Sequence, residues 1–475
     1  MVRTRFAPSP TGDLHIGSLL GILLNYIYAK KEKGKFILRI EDTDKKRQVK
    51  GAVETIFKVL DRFDLNPDES IKHGGEFGPY RQSERLKIYQ KHASQLIEKS
   101  HAYYCFCSQE RLDKVRKNMQ KDGKPPMYDG KCRKLNPKES AIKAKKESHV
   151  VRMKIPPKTT IKVNDLLRGE IKFDSNIIDD QVILKSDGFP TYHLAVVIDD
   201  HLMKITHMIR GEEWLSSAPK HVLLYQYFAW TPPVFIHTPL LRNKDHSKLS
   251  KRHGHASVDW YIKTGYLKEA VINFLATRVW NHPQGKEVFD INELIKQFDF
   301  KDMHIQGPIA DIDKLNWLNG QWIRKLSDKA VLSRLKPFQP KDLSDKKLAQ
   351  IWPLIKERIE YFSQLKDLTE YFVKKPQLDK KAILKESKLD EKNTAEYLSK
   401  VIKVIEKISG WTVKSIGKDL HAFQLKSGLK PRPAFMTIRL VVTGRSATPP
   451  LFDTLKIIGQ TEVINRLKNA QKVLS

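Results

Sequence analysis

Three groups of residues in this 475-residue chain have the types and spacing to do chemistry. The first is the opening run Arg5-Phe6-Ala7-Pro8-Ser9-Pro10-Thr11-Gly12-Asp13-Leu14-His15-Ile16-Gly17, where a loop of small residues leads into an apolar stretch. A helix starting there would offer free backbone N–H groups and its positive dipole end to a phosphate. A His can donate to phosphate oxygens, and a Gly lets a purine lie against bare backbone. The second group is Lys248-Leu249-Ser250-Lys251-Arg252, in a basic loop with Arg242, Lys244 and His253. Two lysines on such a loop can follow charge that develops on a phosphate through a transition state. Taken singly, neither motif discriminates. His-x-Gly is common in turns and cores, and a Lys-rich loop is ordinarily solvated surface. The third group is Cys105-Phe106-Cys107 with Cys132, which together are the chain's three cysteines. A Cys-x-Cys pair can put two thiolates on one metal ion, with Cys132 as a third ligand. The alternative is a metal-free knuckle of three reduced thiols.

The elements that must position these groups read as follows. Val2 to Ala7 has strand character, 16–33 reads as a buried helix with Gly34 placed to end it, and Phe36 to Ile40 is a second strand. Strand, loop, helix and strand make a βαβ unit, hence a parallel sheet with the site at its strand ends. Residues 101–190 break the pattern with clustered Cys, Pro and Lys and short β-like runs such as Val150 to Met153 and Gln181 to Leu184. That is the signature of an insertion between two halves of a sheet. Strand-like Met203 to Ile209, a helix after Ser217 and Val234 to Ile236 return to α/β character. Helical patterns dominate beyond about 256.

The chain carries 86 Lys plus Arg against 55 Asp plus Glu, a formal charge of +31. A field of that sign favours polyanions, RNA first among them. Three cysteines cannot build a disulfide framework in a chain of this size, which points to a reducing cytoplasm. The apolar run Ile16 to Ala29 sits behind Arg3 and Arg5 as in a signal peptide. The Pro/Gly loop interrupts that start, however, and no small-x-small cleavage site follows. No apolar run approaches the roughly 20 residues of a membrane span.

In this order and about 230 residues apart, the first two groups resemble the two ATP motifs of class I aminoacyl-tRNA synthetases. The opening with Pro8-Ser9-Pro10 is similar to the glutamyl members of bacteria. Further resemblance is carried by Ile40-Glu41-Asp42-Thr43-Asp44, Pro190 to Ala195, Asp199-Asp200-His201, Ile209 to Trp214, Thr443-Gly444-Arg445 and Pro449 to Phe452. It implies activation of L-glutamate by ATP with Mg²⁺ and transfer to tRNA-Glu, with tRNA-Gln as an open second substrate. His15, Lys248 and Lys251 are the implied catalytic residues. Ala7, Pro8, Ser9, Gly12, His15, Gly17, Glu213, Trp214, Leu240, Leu241 and Lys251 would contact ATP. Free glutamate has two carboxylates and one ammonium, so its pocket wants two cations and one anion. The resemblance assigns Arg5 and Arg210 as the cations, Glu41 as the anion, and Ser9 and Tyr192 as hydroxyls. Some members have Asn four residues after that Tyr, where this chain has Val196. Zinc-bearing members add a His two residues after the last Cys, where this chain has Lys134. Tyr128 instead matches the fourth ligand of a truncated paralogue, which implies Cys105, Cys107, Cys132 and Tyr128 around Zn²⁺.

The expected architecture is an α/β Rossmann-like catalytic domain (1–100 and 191–255) with an inserted α+β acceptor-binding domain (101–190). All-α stem-contact (256–325) and anticodon-binding (326–475) regions follow, in a cytoplasmic monomer without membrane association. Pro-Ser-Pro argues against the glutaminyl rival. A small-molecule nucleotidylyltransferase would not need the long basic helical region. If the excess charge serves RNA, raising salt from 50 to 200 mM should weaken tRNA binding by ~10²-fold or more. A flat response in a filter-binding titration would instead make the excess lysines compositional.

Overall fold

The computed structural model describes residues 1–247, 249 and 255–474. The expected catalytic lysines Lys248 and Lys251 lie outside the described residues. In chain order the first elements are β1 (Arg3–Phe6), α1 (Ile16–Lys31), β2 (Lys35–Leu38), α2 (Ala52–Phe63) and α3 (Leu86–Glu98). β1 and β2 pair in parallel, Arg3 opposite Lys35 through Phe6 opposite Leu38. α1 buries Ile16, Leu19, Leu20, Ile22, Leu23, Leu24 and Ile27, so it is a core helix rather than an amphipathic surface one. It stops at Lys31, short of Gly34. The need for Gly34 is space: a Cβ there would stand 2.1 Å from the Val2 carbonyl oxygen. That same oxygen accepts the Lys35 N–H that opens the β1–β2 ladder.

Next come β3 (Ala102–Cys105), α4 (Gln109–Lys121), α5 (Pro137–Ala144), β4 (Val150–Met153), β5 (Thr160–Asp165), β6 (Gly169–Asp174) and β7 (Val182–Leu184). β3, β4 and β7 form an antiparallel sheet. The chain then returns through α6 (Tyr192–Leu202), β8 (His207–Gly211), α7 (Ala218–Phe228) and β9 (Val234–Thr238). β8 and β9 are parallel, and the Thr206 N–H donates to the Arg3 carbonyl, which lays β8 beside β1. The strand expected from Met203 begins only at His207, because Met203 closes α6 by donating its N–H to Asp199 O. The β5–β6 hairpin, within 101–190, joins the β8–β9 sheet: Asp165 is opposite Phe235. One apolar core holds α3, α6 and α7 against β3, β4, β5 and β9. Val196, fully buried, is part of it.

Helices follow: α8 (Val258–Thr264), α9 (Lys268–Val279), α10 (Ile291–Gln297), α11 (Ile312–Lys325), α12 (Asp328–Leu335), α13 (Asp345–Ile355) and α14 (Leu365–Val373). The last six are α15 (Lys380–Ser387), α16 (Glu391–Glu406), α17 (Val413–Ser427), α18 (Pro431–Thr443), α19 (Leu451–Ile458) and α20 (Gln460–Leu474). The chain divides into two compact units, Met1–Tyr261 with Lys268–Lys314, and Ile262–Leu267 with Leu315–Ser475. In the first, α9 and α10 pack on α1, Lys31 donates to Phe298 O, and the Tyr28 and Phe300 rings meet at 4.9 Å. In the second, buried Arg466 donates to Tyr371 O (2.6 Å) and Val442 O (2.7 Å), which satisfies carbonyls near the C-terminal ends of α14 and α18. Side chains of Ser327, Ser344, Asp379, Asp390 and Thr412 cap helices of this unit. Among the described residues no helix is long and apolar enough to cross a membrane.

Candidate active site

The first motif is held by turn chemistry. Gly12 takes φ +117°, a conformation that L side chains rarely adopt. Glu41 N–H donates to Pro8 O and Val49 N–H to Pro10 O, pinning the loop to the chain that leaves β2. His15 is the N-cap of α1: its Nδ1 accepts from Gly17 N–H at 3.0 Å. The other ring nitrogen therefore carries the proton, and Nε2 meets Leu249 O at 3.2 Å. That contact joins the first motif to the segment of the second. Ala7, Pro8, Gly12 and Gly17 are half-buried and Ser9 is exposed. Of the expected ATP contacts, Ala7, Pro8, Ser9 and Gly12 follow β1, Glu213 and Trp214 follow β8, and Leu240 and Leu241 follow β9, the strand ends at which open α/β sheets place ligands.

Beneath them lies a buried charge cluster. Arg39, fully buried, donates to Glu41 (2.9 Å) and Asp200 (2.7 Å), and its Nε stands 3.6 Å from Asp199. Arg5 pairs with Asp200 through Nε at 3.1 Å and donates to Ile209 O. Arg85, Tyr89 and Gln82 all donate to Asp199. Burial opposes the charge on Arg39, but Asp200, Asp199 and Glu41 outweigh it and hold its pKa well above the ordinary value. Burial likewise works against Asp200, yet Arg5 and Arg39 keep its pKa below the usual range. Glu41 goes the other way: burial raises it despite Arg39 and Arg5, so its anionic form lacks full compensation.

Arg210 is arranged differently. Its Nε donates to His237 Nε2 at 3.0 Å, and its Nη1 to Tyr192 Oη at 2.9 Å and His221 Nδ1 at 3.2 Å. The Tyr192 ring leans on Trp214, with centroids 4.4 Å apart. Desolvation raises the Tyr192 pKa, and the charges of Arg210, Glu41 and Arg5 all act on the same hydroxyl. Arg5, Glu41, Tyr192 and Arg210 therefore stand in one site.

Sequence reasoning gave no site role to Arg39, Asp165, His221 and His237, nor to Asp199 and Asp200, which entered only as part of the resemblance. The available signal was charge out of phase: Asp199 and Asp200 end the apolar run Leu194 to Ile198. Asp165 also occupies an inward position of β5, whose residues alternate exposed and buried.

The third group also converges. The Cys105, Cys107 and Cys132 sulfurs lie within 4.8 Å of one another. Cys107 and Cys132 are 3.5 Å apart, and the Tyr128 hydroxyl lies 3.5 Å from Cys105 and 3.6 Å from Cys107. The Cys132 N–H donates to that hydroxyl at 2.7 Å.

The model for the catalytic domain of class I tRNA synthetases (E and Q) matches residues 1–317, and that for an anticodon-binding domain matches 330–471. Fold and site thus define a class I tRNA synthetase. A glutamate–tRNA ligase of Finegoldia magna is 43% identical over 99% of both chains, and one of Chlorobium chlorochromatii 42% identical over 100% of this chain and 98% of that one. The crystal structure of a glutamate tRNA ligase from Elizabethkingia meningosepticum, in complex with its amino acid, superposes with a TM-score of 0.88 at 36% identity over 100% of both chains. The chain belongs to the glutamate–tRNA ligase family of enzymes.

Asp200→Asn should destabilise the first unit by about 3–5 kcal/mol, because it leaves Arg5 and Arg39 short of a buried partner. Asp200 has its pKa lowered by folding, so its contribution is present above the unfolded value and is lost as pH falls through the folded one. Urea unfolding of wild type and variant at neutral pH measures the difference. Equal midpoints would refute the role given to Asp200.

Proposed function

We propose that the chain joins L-glutamate to tRNA-Glu in two displacements. The α-carboxylate of glutamate attacks the α-phosphorus of ATP and expels pyrophosphate. A hydroxyl of the terminal tRNA ribose then attacks the glutamyl carbonyl and expels AMP. No nucleophilic triad is required, since positioning and charge stabilisation supply most of such accelerations. The observation that carries the reading is Arg210, a buried guanidinium whose partners within this site are uncharged. Arg5, which shares Asp200 with Arg39 and so keeps part of its charge, would be the second cation for two carboxylates, while Glu41, incompletely compensated, suits the ammonium. Tyr192 and Ser9 add hydroxyls. Ala7, Pro8, Ser9, Gly12, His15, Gly17, Glu213, Trp214, Leu240, Leu241 and Lys251 would border ATP, and Lys248 and Lys251 would meet its phosphates. Mg²⁺, held through phosphate oxygens more than by a protein cage, would screen their charge.

Residues 1–100 and 191–255 would form the catalytic domain, 101–190 the acceptor-end insertion, 256–325 the stem contact and 326–475 the anticodon-binding region. We place the enzyme in the cytoplasm as a monomer; its three cysteines are unpaired, as a reducing compartment keeps them. Pyrophosphate exchange with each amino acid, with and without tRNA, tests the function. Glutamate alone should support exchange, and charging of purified tRNA-Glu and tRNA-Gln should include the former. Exchange with glutamine instead of glutamate would overturn the reading.

The knuckle fits zinc. Around a tetrahedral Zn²⁺ with Zn–S near 2.3 Å and Zn–O near 2.0 Å, ligand-to-ligand edges are about 3.5–3.8 Å. The Cys107–Cys132 and Tyr128–Cys separations match that range. The Cys132 N–H favours a phenolate, whereas burial holds the Tyr128 hydroxyl above its ordinary pKa, so its deprotonation would come with the metal. Cys105, Cys107, Cys132 and Tyr128 would hold the ion in a structural role. Metal analysis of chelator-free protein should find one zinc per chain, reduced in Cys105→Ser; content below about 0.2 per chain would end the assignment.

A further inference from the structure

The buried guanidiniums of the catalytic unit are treated in two ways. Arg3, Arg5, Arg39 and Arg85 each pair with a carboxylate at 3.1 Å or less, while Arg152 of the inserted segment donates to the Asp180 carbonyl oxygen at 2.8 Å. Arg210 is also buried, yet its side-chain partners are two imidazoles and a phenol, and among the described residues no ion pair joins it to a carboxylate. The hydrogen bonds define the state of both rings. His237 accepts from Arg210 at Nε2, so its proton is on Nδ1, which donates to Asp165 Oδ2 at 2.7 Å. His221 accepts from Arg210 at Nδ1, so its proton is on Nε2, which donates to His193 Nδ1 at 3.1 Å. Each ring thus carries one proton and no charge.

We propose that His221 and His237 are positioning residues that set selectivity for glutamate by holding Arg210 between uncharged acceptors, so that its charge is left for the substrate. This rests on the reading of Arg210 as a carboxylate ligand. A carboxylate at either position would aim the guanidinium as well, but would also neutralise it. Glutamine has nearly the size of glutamate, so the pocket must separate them by charge and by donor–acceptor polarity. A compensated arginine does so poorly. An uncompensated one attracts the carboxylate, and it confronts the amide N–H₂ of glutamine with donors. Asp165, on β5, stabilises the His237 tautomer from behind without touching Arg210 in the bonds formed here. Burial first, and then Arg210 itself, keep the His221 pKa well below the ordinary value, and His193 is pushed down to about 3, again by burial first. The relay therefore stays neutral at working pH.

The test compares His221→Asn with His221→Asp in the full chain. Both replace Nδ1 by an oxygen acceptor at nearly the same distance from Cβ and are close to isosteric, differing in the negative charge and in the Asn amide donor that the second Asp oxygen replaces. Aminoacylation should show a glutamate KM ~10²-fold or more higher in His221→Asp than in His221→Asn, with kcat and ATP KM differing much less. The preference for glutamate over glutamine should shrink in the Asp variant only. Equal KM values and equal preference in the two variants would overturn the proposal, since packing alone would then explain the ring. If His221→Asp does not fold by its thermal transition, His237→Gln against His237→Glu, each combined with Asp165→Asn, makes the same comparison on the other side of Arg210. Arg210→Leu separates the layers. An unchanged glutamate KM there would sink the pocket reading itself. A large rise there, with no Asn/Asp difference at His221, would sink the histidine proposal alone.

Discussion

The catalytic unit depends on one costly act, the complete burial of the Arg39 guanidinium. A cation taken out of water must regain several kcal/mol from partners, and it does so only with good geometry on every side. Arg39 meets most of this with Asp200 and Glu41 in direct bonds, while its Nε, 3.6 Å from Asp199, makes no hydrogen bond among the described residues. Those carboxylates in turn fix other segments. Asp200 takes Arg5 of β1, and Asp199 takes Arg85, Tyr89 and Gln82 from around the start of α3. Two adjacent aspartates at the end of α6 thus tie β1, the exit of β2 and α3 into one arrangement. Glu41, the proposed partner of the ammonium, is held by the same arginine that ties these segments together.

Charge has two uses here. In the Arg39 cluster, opposite charges cancel and the product is rigidity. Around Arg210, the acceptors are neutral and the product is an attractive site. Glu41 lies between these limits. It touches Arg39, yet burial still raises its pKa, so an incoming ammonium would improve its solvation. The same few ångströms therefore contain cations and an anion that favour the zwitterion of an amino acid with one extra negative charge.

Much of this was legible in the residues. The βαβ opening follows from periodicity and a Pro/Gly loop, and Tyr192 and Arg210 do meet, 18 positions apart, at 2.9 Å. What periodicity does not carry is pairing across the fold. Arg5 and Asp200 are 195 residues apart, and nothing local says that they share a bond. His221 and His237 each sit in apolar runs where a satisfied core histidine is the ordinary reading, and only the third dimension puts both on one guanidinium. The Gly34 case is similar. Its sequence position suggested a helix stop, whereas the constraint is the neighbouring Val2 carbonyl, which needs a second strand to be present. For the knuckle, Cys spacing nominated three ligands, and Tyr128 comes into reach because the chain folds back on itself between α4 and Cys132.

The formal charge of +31 and the single guanidinium of Arg210 work at different ranges. Surface lysines act through water and salt, where the field between exposed charges fades over about 8–10 Å. Such a field can gather a polyanion and speed its arrival, but it acts on any anion of suitable size and cannot tell a carboxylate from an amide at one position. That distinction requires a charge in a poorly screened place, held by groups that do not cancel it. Raising the surface charge further would strengthen RNA attraction and leave amino-acid choice untouched. Moving one carboxylate next to Arg210 would do the reverse. On the proposed reading of the pocket, selection of the nucleic acid and selection of the amino acid are separable, because one would rest on many screened charges and the other on buried guanidiniums, Arg210 above all.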